Sequence, residues 1–335
     1  MPINGIASLN WGVGDVAETA RYFRDMGVPL LEQRPDLARF RFEEGSTLVV
    51  RHRDDAALPA SDMVGDGVRE IIWGVDNEDC LKALVADLSR DHELRVDDDG
   101  VHHFLTSFGL ALGLKLFRKT PVVSAPPPLN SPGNINRLNL TRKWRKRATP
   151  KTISHVGHAV PDPDAMLDFY RRRLRFRVTD VQPGMAIYLR APGATDHHNT
   201  AVVDSRAPSL EAWTGGKLVF NHANFIFEDI DELMIAKAQM ERTGWPKSPW
   251  GLGRHGIAGS AFIYIPCPGG GEVEMCADMD HVDDTWVPRV MSIPAGLFMF
   301  VHDRPSYVPE PQGEWEIGYC DPDTVTFKHA PEAWR

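Results

Sequence analysis

Two stretches of the sequence, one near the start and one in the second half, share a pattern of hydrophobic and polar positions. Residues 6–13 form a short apolar run before Asp15, and apolar positions at helical spacing follow it. Residues 153–160 form a similar run before Asp162, again followed by apolar positions at helical spacing. Such runs predict strands, and apolar positions three and four residues apart predict a helix that buries one face. The pattern therefore indicates an internal repeat.

Each half continues with a second strand and helix, and then with an apolar strand that a glycine begins. Residues 71–75 lead into a helical pattern in the first half, and residues 225–233 have the same rhythm in the second. The closing strands are residues 113–117 and 271–275. We predict four βαβββ modules, two in each half, and therefore an α+β fold. We expect antiparallel sheets that curl around a cleft in each half.

A segment of unusual composition separates the two halves. It has five prolines before residue 133, which favour extended backbone, and a basic cluster at residues 142–147. An anion-binding patch and a solvated segment between domains both fit this cluster, and the second is the commoner use of such a run. We predict an N-terminal domain at 1–118, a linker at 119–150, a C-terminal domain at 151–290 and a tail at 291–335.

The composition excludes several classes of protein. The chain has 335 residues, with 37 basic and 46 acidic side chains and a net charge of -9, which gives no general attraction to nucleic acids or anionic membranes. No apolar run approaches the ~20 residues of a membrane span, and no signal peptide is visible. The four cysteines are widely spaced, which fits a reducing cytoplasm. We expect a cytoplasmic enzyme or small-molecule binder.

Three candidate metal ligands lie on separate predicted strands of the second half: His155, His222 and Glu274. Two imidazoles and one carboxylate form the facial triad of non-haem Fe(II) or Mn(II) sites, which leaves positions open for substrate and oxygen. Because strand side chains alternate, only one of His155 and His158 can enter a cleft. Glu272 and Glu274 share a face, and spacing alone does not choose between them.

The first half lacks this combination of residues. The positions that align with the three candidate ligands are about Ser8, Glu70 and Lys115. A lysine in place of the carboxylate would repel a cation. We therefore expect one metal site, in the C-terminal half.

Six motifs of the second half carry a resemblance to a known family. They are His155-Val-Gly-His-Ala-Val-Pro-Asp162, Asp196-His-His-Asn-Thr-Ala201, Asn221-His-Ala-Asn-Phe-Ile-Phe227, Gly251-Leu-Gly-Arg-His-Gly256, Phe262-Ile-Tyr264 and Pro268-Gly-Gly-Gly-Glu-Val-Glu-Met275. With them the chain resembles the type I extradiol ring-cleavage dioxygenases of the vicinal oxygen chelate superfamily, most nearly the homoprotocatechuate and 2,3-dihydroxybiphenyl branches. The first half matches only in the outline of its repeats.

The resemblance implies the vicinal oxygen chelate fold, with two barrel-like domains of two modules each. It implies an Fe(II) cofactor, with Mn(II) as the alternative, and meta cleavage of a catechol by O2 in the catabolism of aromatic compounds. It also assigns residues by their place in the motifs. The ligands are His155, His222 and Glu274, and the catalytic residues are His198, His255 and Tyr264.

The expected chemistry suits these side chains. A catechol must lose a proton to chelate a metal through both oxygens, and a histidine near neutral pKa can accept that proton and return it later. His198 has this role in the resemblance, whereas its neighbour His197 fits a polar turn. His255 and Tyr264 can hydrogen-bond the substrate oxygens and fix their orientation.

The substrate is less well defined by the sequence. Ile257 and Ala258 stand where several relatives have a polar substrate contact, and Trp250 stands near an arginine position of the homoprotocatechuate branch. An apolar rim is therefore expected, although Arg190, Arg254 and Arg289 could instead pair with a substrate carboxylate. The predicted substrate contacts are Trp250, Ile257, Phe262 and Tyr188.

Two other classes of function share this superfamily. One is a small-molecule binder without catalysis, which would not need the proton-handling side chains. The other is a metal-dependent isomerase of the glyoxalase kind, which usually takes its ligands from paired modules with more carboxylates.

The tail is rich in aromatic residues, which a disordered segment would expose to water at a cost. We expect it to fold back over the second half as a lid on the cleft or as a subunit contact in a homo-oligomer, with packing on the outside of the sheet as the alternative. Its aromatic residues are Phe298, Phe300, Tyr307, Trp315, Tyr319, Phe327 and Trp334.

Overall fold

The computed structural model describes residues 3–208, 210–305 and 316–328. Its N-terminal half consists of two consecutive modules, each a strand, a helix and three further strands. The elements are β1 (Ile3–Val13), α1 (Val16–Met26), β2 (Leu30–Arg34), β3 (Leu37–Arg41), β4 (Thr47–His52), β5 (Gly67–Val75), α2 (Glu78–Leu88), β6 (Arg95–Val96), β7 (His102–Leu105) and β8 (Ala111–Leu116).

The C-terminal half repeats this order of elements. A short helix, α4, interrupts the connection between its two modules. The elements are β9 (Thr152–Val160), α3 (Pro163–Arg172), β10 (Arg177–Gln182), β11 (Ala186–Arg190), β12 (Thr200–Asp204), α4 (Glu211–Thr214), β13 (Val219–Ile226), α5 (Ile230–Arg242), β14 (Gly253–Arg254), β15 (Ala261–Pro266) and β16 (Glu272–Ala277). The α+β class and the four predicted modules are confirmed.

The two sheets are mixed, and the expectation of purely antiparallel sheets was wrong. The N-terminal sheet has the order β2-β3-β4-β1-β5-β8-β7-β6, in which β1 pairs parallel with β4 and β5 parallel with β8. β9 and β13 pair parallel with β12 and β16 in the same way. The helix and the next two strands of each module form a crossover long enough to return its last strand beside the first in the same direction.

The helices begin where the sequence supplies a side-chain cap. Asp15, Asn77, Asp162 and Asp229 each accept a hydrogen bond from the backbone N–H three residues further on. Such caps satisfy N–H groups that have no partner within the helix. Helix α1 ends at Gly27, whose φ of 101° is in the left-handed region that glycine adopts readily.

One continuous hydrophobic core joins the two halves. The edge of the Trp11 ring packs against Phe220 with ring centroids 4.8 Å apart, and Trp11 Nε1 donates to Gly269 O at 2.6 Å. Tyr22 donates its hydroxyl hydrogen to Ile265 O. The C-terminal half is therefore held against the N-terminal half by buried contacts as well as by the covalent connection.

The basic cluster of the linker contacts acidic residues of the C-terminal half. Arg145 is almost completely buried and pairs with Glu228 and with Asp229, and Lys143 Nζ lies 3.0 Å from Glu228. Carboxylates of the same chain therefore neutralise Arg142, Lys143 and Arg145, and this part of the cluster is not an open anion patch.

The described part of the tail extends the C-terminal sheet at both edges. Its elements are β17 (Arg289–Met291), α6 (Ile293–Leu297), β18 (Phe300–Val301) and β19 (Ile317–Tyr319). The sheet order is β18-β14-β15-β16-β13-β9-β12-β11-β10-β17-β19. Tyr307, Trp315 and Trp334 lie outside the described residues. The domain boundaries and the role of the tail stay predictions. No helix of the described residues is long and apolar enough to cross a membrane.

Candidate metal centre and its surroundings

Three strands of the C-terminal sheet bring His155, His222 and Glu274 together. His155 Nε2 lies 3.0 Å from His222 Nε2 and 3.0 Å from Glu274 Oε2, and His222 Nε2 lies 3.5 Å from the same carboxylate oxygen. The pairing of β9 with β13 shifts register beside His155. Such irregularities re-aim side chains at functional sites. Three donor atoms from β9, β13 and β16 therefore converge on one point.

The protonation of this group suits metal binding. Burial lowers the pKa of His222 to about 3, so its imidazole is neutral at pH 7. Its Nδ1 donates to Asn221 Oδ1 at 2.6 Å, which leaves the Nε2 lone pair directed at the cluster. Burial alone would raise the pKa of Glu274, but hydrogen bonds from His155 and His255 hold it well below its usual range. The neutral His222 nitrogen and the Glu274 carboxylate anion are thus both donors that a divalent cation accepts.

The structure separates the alternatives that the sequence left open. The His158 side chain points away from the cluster and its Nε2 contacts Val68 O in the other half at 2.9 Å. Among the described residues, the donor atoms of His155, His222 and Glu274 lie within 4.8 Å of one another, and Glu272 is outside this group.

The counterpart of Glu274 in the N-terminal half is Gly113. In the parallel pairs, His222 stands opposite Glu272 and Glu70 stands opposite Ala111. Two residues further along, Glu274 corresponds to Gly113. The alignment with Lys115 was therefore wrong by two residues, because the glycine pattern of the closing strands does not fix their register.

The predicted catalytic residues His255 and Tyr264 lie beside the carboxylate of Glu274. His255 Nε2 is 3.2 Å from Glu274 Oε1 and 3.3 Å from the Tyr264 hydroxyl. The His255 ring stacks on Phe262, with ring centroids 3.8 Å apart. Burial and then the charge of Glu274 raise the pKa of Tyr264 well above its usual value, so its hydroxyl keeps its proton.

His198 lies on the side of the cluster opposite to His255 and Tyr264. Its ring centroid is 4.0 Å from that of His155, and its Nδ1 is 3.1 Å from His197 Nδ1. Burial, followed by the neighbouring imidazoles His155 and His197, lowers the pKa of His198 well below its usual value. A neutral imidazole that contacts a metal ligand can accept a proton from a group bound at the centre.

Sequence reasoning missed a buried pair behind His198. His197 Nε2 lies 3.0 Å from Asp180 Oδ2, and both side chains are fully buried. Arg289 contacts the same carboxylate through Nε at 2.9 Å and Nη2 at 2.5 Å. Burial alone would raise the pKa of Asp180, but His197 and Arg289 lower it. The adjacency of two histidines was the available signal, whereas Asp180 lies on β10 with no sequence motif around it.

Asn224 was also missed, although it follows His222 by two residues and therefore shares its face of β13. Its side chain is fully buried, and neither its oxygen nor its nitrogen has a hydrogen-bond partner among the described residues. A buried amide without a partner is uncommon and points to a ligand or water beside it.

The predicted substrate contacts form two separate walls. Trp250 and Phe262 pack with Phe298 of the tail in one aromatic cluster, next to Tyr264. Ile257 and Tyr188 lie in another apolar cluster, and Tyr188 also approaches His198 with ring centroids 5.0 Å apart. Both walls are apolar.

The three arginines that could have paired with a substrate carboxylate each have a carboxylate partner within the chain. Arg190 Nη2 lies 2.6 Å from Asp284, and Arg254 Nη2 lies 3.0 Å from Asp278. Arg289 is held by Asp180, as described above. These guanidinium groups are already neutralised.

The tail contacts the site directly. His255 Nδ1 donates to Leu297 O at 2.6 Å, and the backbone N–H groups of Gly256 and Ile257 both donate to Gly296 O at 3.0 Å. Residues of α6 therefore fix the orientation of His255.

The fold and site together define a tandem βαβββ protein with a facial His-His-Glu cluster in its second half. The profile of the Glyoxalase/Bleomycin resistance protein/Dioxygenase superfamily matches residues 152–281. This part of the chain is therefore similar to that superfamily, and the whole has the vicinal oxygen chelate fold.

Known proteins resemble the chain in amino-acid sequence and in fold. Metapyrocatechase 2 of Cupriavidus necator is 29% identical over 214 residues, which are 63% of this chain and 63% of that protein. The match thus spans less than two thirds of the relative's length. The Mn(II)-bound glyoxalase from Novosphingobium aromaticivorans has a TM-score of 0.69 at 19% identity, over 93% of this chain and 95% of that one. BphC, a halotolerant catechol dioxygenase, has a TM-score of 0.68 at 18% identity, over 95% and 99%.

Proposed function

We propose that this chain is an Fe(II)-dependent extradiol dioxygenase that opens the ring of a catechol with O2. The observation that carries the proposal is the grouping of two sets of buried side chains around one point. His155, His222 and Glu274 can hold a metal, and His198, His255 and Tyr264 can move protons or hold oxygen atoms beside it. The names of its relatives, a metapyrocatechase and a catechol dioxygenase, support the same reaction.

The donor atoms fit a divalent metal. His155 Nε2, His222 Nε2 and Glu274 Oε2 would hold it, and this set with open positions is the one that non-haem Fe(II) oxygenases use. When bound, the metal would acidify a catechol hydroxyl and offer positions to the catechol and O2. Mn(II) accepts the same donors, and we propose iron because of the oxygenase chemistry.

The surrounding residues supply the proton transfers. His198 Nδ1 faces His197, which leaves Nε2 on the other side of the ring as the nitrogen that takes the catechol proton. His255 and Tyr264 hydrogen-bond the substrate oxygens on the opposite side of the cleft. Trp250 and Phe262 pack against the aromatic ring of the catechol and keep bulk water from the reacting atoms.

We propose further that the catechol carries no charged substituent. The clusters that contain Trp250 and Tyr188 beside the site are apolar. The side chains of Arg190, Arg254 and Arg289 are neutralised by carboxylates of the chain. A substrate carboxylate buried there would have no counter-ion, which is costly.

The test compares two catechols of similar size. Protein loaded with Fe(II) without air is mixed with 4-ethylcatechol or with 3,4-dihydroxyphenylacetate, and O2 is then admitted. We expect a yellow ring-opened product with one O2 consumed per catechol. We expect kcat/KM about a hundredfold lower for the carboxylate, which corresponds to about 3 kcal/mol.

The failures of this test are distinct. Catechol binding without O2 uptake would indicate a binder, and isomerisation of a substrate without O2 would indicate glyoxalase-like chemistry. Equal kcat/KM values for the two catechols would contradict the uncharged substrate but leave the dioxygenase intact.

We also propose a cytoplasmic location. All four cysteines are unbridged, and Cys267 and Cys276 are buried, as is typical of proteins from a reducing compartment. We propose that the chain forms a homo-oligomer.

A further inference from the structure

Part of the linker projects from the protein between two anchored ends. At the first end, Val123 N donates to Glu43 Oε1 at 2.9 Å and Ala125 N donates to Glu228 Oε1 at 2.8 Å. At the second end, Lys143 pairs with Glu228 and the neighbouring basic residues pair with acidic residues at the start of α5. Residues 126–141, which we call the arm, lie between these anchors.

The arm has a defined shape of its own. Asn130 Oδ1 accepts from the backbone N–H groups of Asn136 at 2.8 Å and Arg137 at 2.7 Å, and Asn130 Nδ2 donates to Arg137 O at 3.2 Å. Arg137 Nε donates to Pro128 O at 2.6 Å. These bonds close a loop without help from either half. A loop that is already shaped loses little conformational entropy when it binds.

The arm exposes most of its large apolar side chains. Leu129 is 70% exposed, Ile135 69%, Leu138 73% and Leu140 66%, and Trp144 beside the second anchor is 92% exposed. Single exposed apolar residues are ordinary, but five within sixteen residues form a patch that usually marks an interaction site. This patch is the feature that requires an occupant.

We propose that the arm packs on a second copy of this chain. The charge distribution favours this occupant. Residues 118–151 contain nine lysines and arginines and no acidic residue, whereas the remaining 301 residues contain 28 basic and 46 acidic side chains, a net charge of -18. Five of these nine basic side chains pair with carboxylates of their own chain. The arm itself contains Arg137 and no acidic residue, so the acidic body of a second copy attracts it rather than repels it.

The exposed area is also sufficient. The five apolar side chains expose on the order of 700 Å², close to the roughly 800 Å² that each partner contributes to a standard interface. In a two-fold dimer each copy gives one arm and receives another, so the area counts twice. A nucleic acid is a poorer occupant, since Lys143 and Arg145 are engaged by carboxylates of their own chain.

The first experiment measures the mass of the metal-loaded protein by light scattering over a range of concentrations. We expect the wild type to be an oligomer of the 37.4 kDa chain. The variant Leu138→Asp/Leu140→Asp should be a monomer of unchanged circular dichroism. The control Leu31→Asp/Val96→Asp places two charges at exposed apolar positions outside the arm and should keep the wild-type mass.

A second measurement needs no variant. Hydrogen exchange of wild-type residues 126–141 should slow as the protein concentration is raised through the range of assembly, while exchange elsewhere on the surface stays constant. A monomeric wild type, an arm variant that keeps the oligomeric mass, or arm exchange independent of concentration would each overturn the proposal. So would a monomer whose arm is protected only by an added oligonucleotide.

Discussion

The two halves of this chain place different residues at equivalent positions of the same backbone. The C-terminal half has His155, His222 and Glu274, and the N-terminal half has Ser8, Glu70 and Gly113. In the N-terminal half, Ser8 Oγ accepts from Thr47, and Glu70 accepts from Asn10 Nδ2 at 2.6 Å and contacts His103 Nδ1 at 2.6 Å. These polar groups satisfy one another.

The two halves also differ in the space available for a side chain at these positions. A Cβ atom added to Gly113 would lie 2.9 Å from Val101 and 3.1 Å from Ile72, so no carboxylate side chain fits there without a shift of the core. Ala7 packs with Val101 and Ile72 in one small hydrophobic cluster. The comparison shows that a cation site requires lone pairs that have no other partner and room for the donors to converge. The fold alone supplies neither.

The largest effect is expected from the loss of a candidate metal ligand in the C-terminal half. Glu274→Ala should abolish stoichiometric metal binding and turnover, because two imidazoles alone do not hold a divalent ion in an open site. The control Glu70→Ala removes a buried carboxylate from the N-terminal half and should keep one metal per chain. Metal content by mass spectrometry and O2 uptake measure both. Stoichiometric iron in Glu274→Ala would contradict the assignment.

The next effect concerns proton transfer. His198→Ala should retain the metal and bind catechol but lose about 10²–10⁴-fold in kcat, the size of a general acid–base contribution. The ring of His198 lies against the proposed ligand His155 but is not one of the three proposed donors, so metal content distinguishes the two roles. If His198→Ala kept the wild-type kcat and His197→Ala were inactive, His197 rather than His198 would be the residue that transfers the proton.

Much of the fold could be predicted from the sequence because each module carries local signals. Capping residues such as Asp15 and Asp162 mark where strands end and helices begin. Strand pairing depends on contacts between distant residues, so neither the parallel pairs nor the register of Gly113 followed from the pattern. The arm was beyond prediction for the same reason, since its shape depends on bonds around Asn130.

For the site, alternation along a strand limits which side chains share a face, so only one of His155 and His158 could be a ligand. The choices of His155 over His158 and of Glu274 over Glu272 needed the resemblance. Asp180 could not be found, because only tertiary packing brings β10 behind His197. The pairing of Arg254 with Asp278 likewise depends on packing.

A smaller effect should follow from the residues behind His198. Asp180→Asn removes the charge next to His197 Nε2 and should lower kcat by about tenfold to a hundredfold with little change in KM, as is usual for groups that orient a functional imidazole. Asp97→Asn makes the matching change beside His103 in the N-terminal half and should leave kcat unchanged. Steady-state kinetics of metal-loaded variants checks this, and equal kcat values for Asp180→Asn and wild type would contradict it.

The smallest effect concerns the pH dependence of stability in the two halves. Burial opposes the protonation of His103, but Glu70 and Asp97, which contact its two ring nitrogens, raise its pKa above the usual value. Its charged form therefore stabilises the folded state below about pH 6.5, and this contribution is lost as the pH rises through the raised pKa. The contribution of His158 to stability depends on pH in the opposite direction. Burial lowers the pKa of His158 to about 4, so its stabilising contribution is lost as the pH falls below about 6.5.

The two contributions can be separated by the range of pH. Between about pH 7.5 and 9, His158 is almost entirely neutral in both folded and unfolded chains, so only His103 among these two changes its charge. We expect the melting temperature of the wild type to fall over this range relative to that of Glu70→Gln, which lacks the charge beside His103. Metal binding affects both proteins equally and cancels in the difference. Parallel melting curves for the two proteins across this range would mean that the Glu70–His103 pair carries no proton-linked stability, and that the N-terminal half retains the pair for its packing alone.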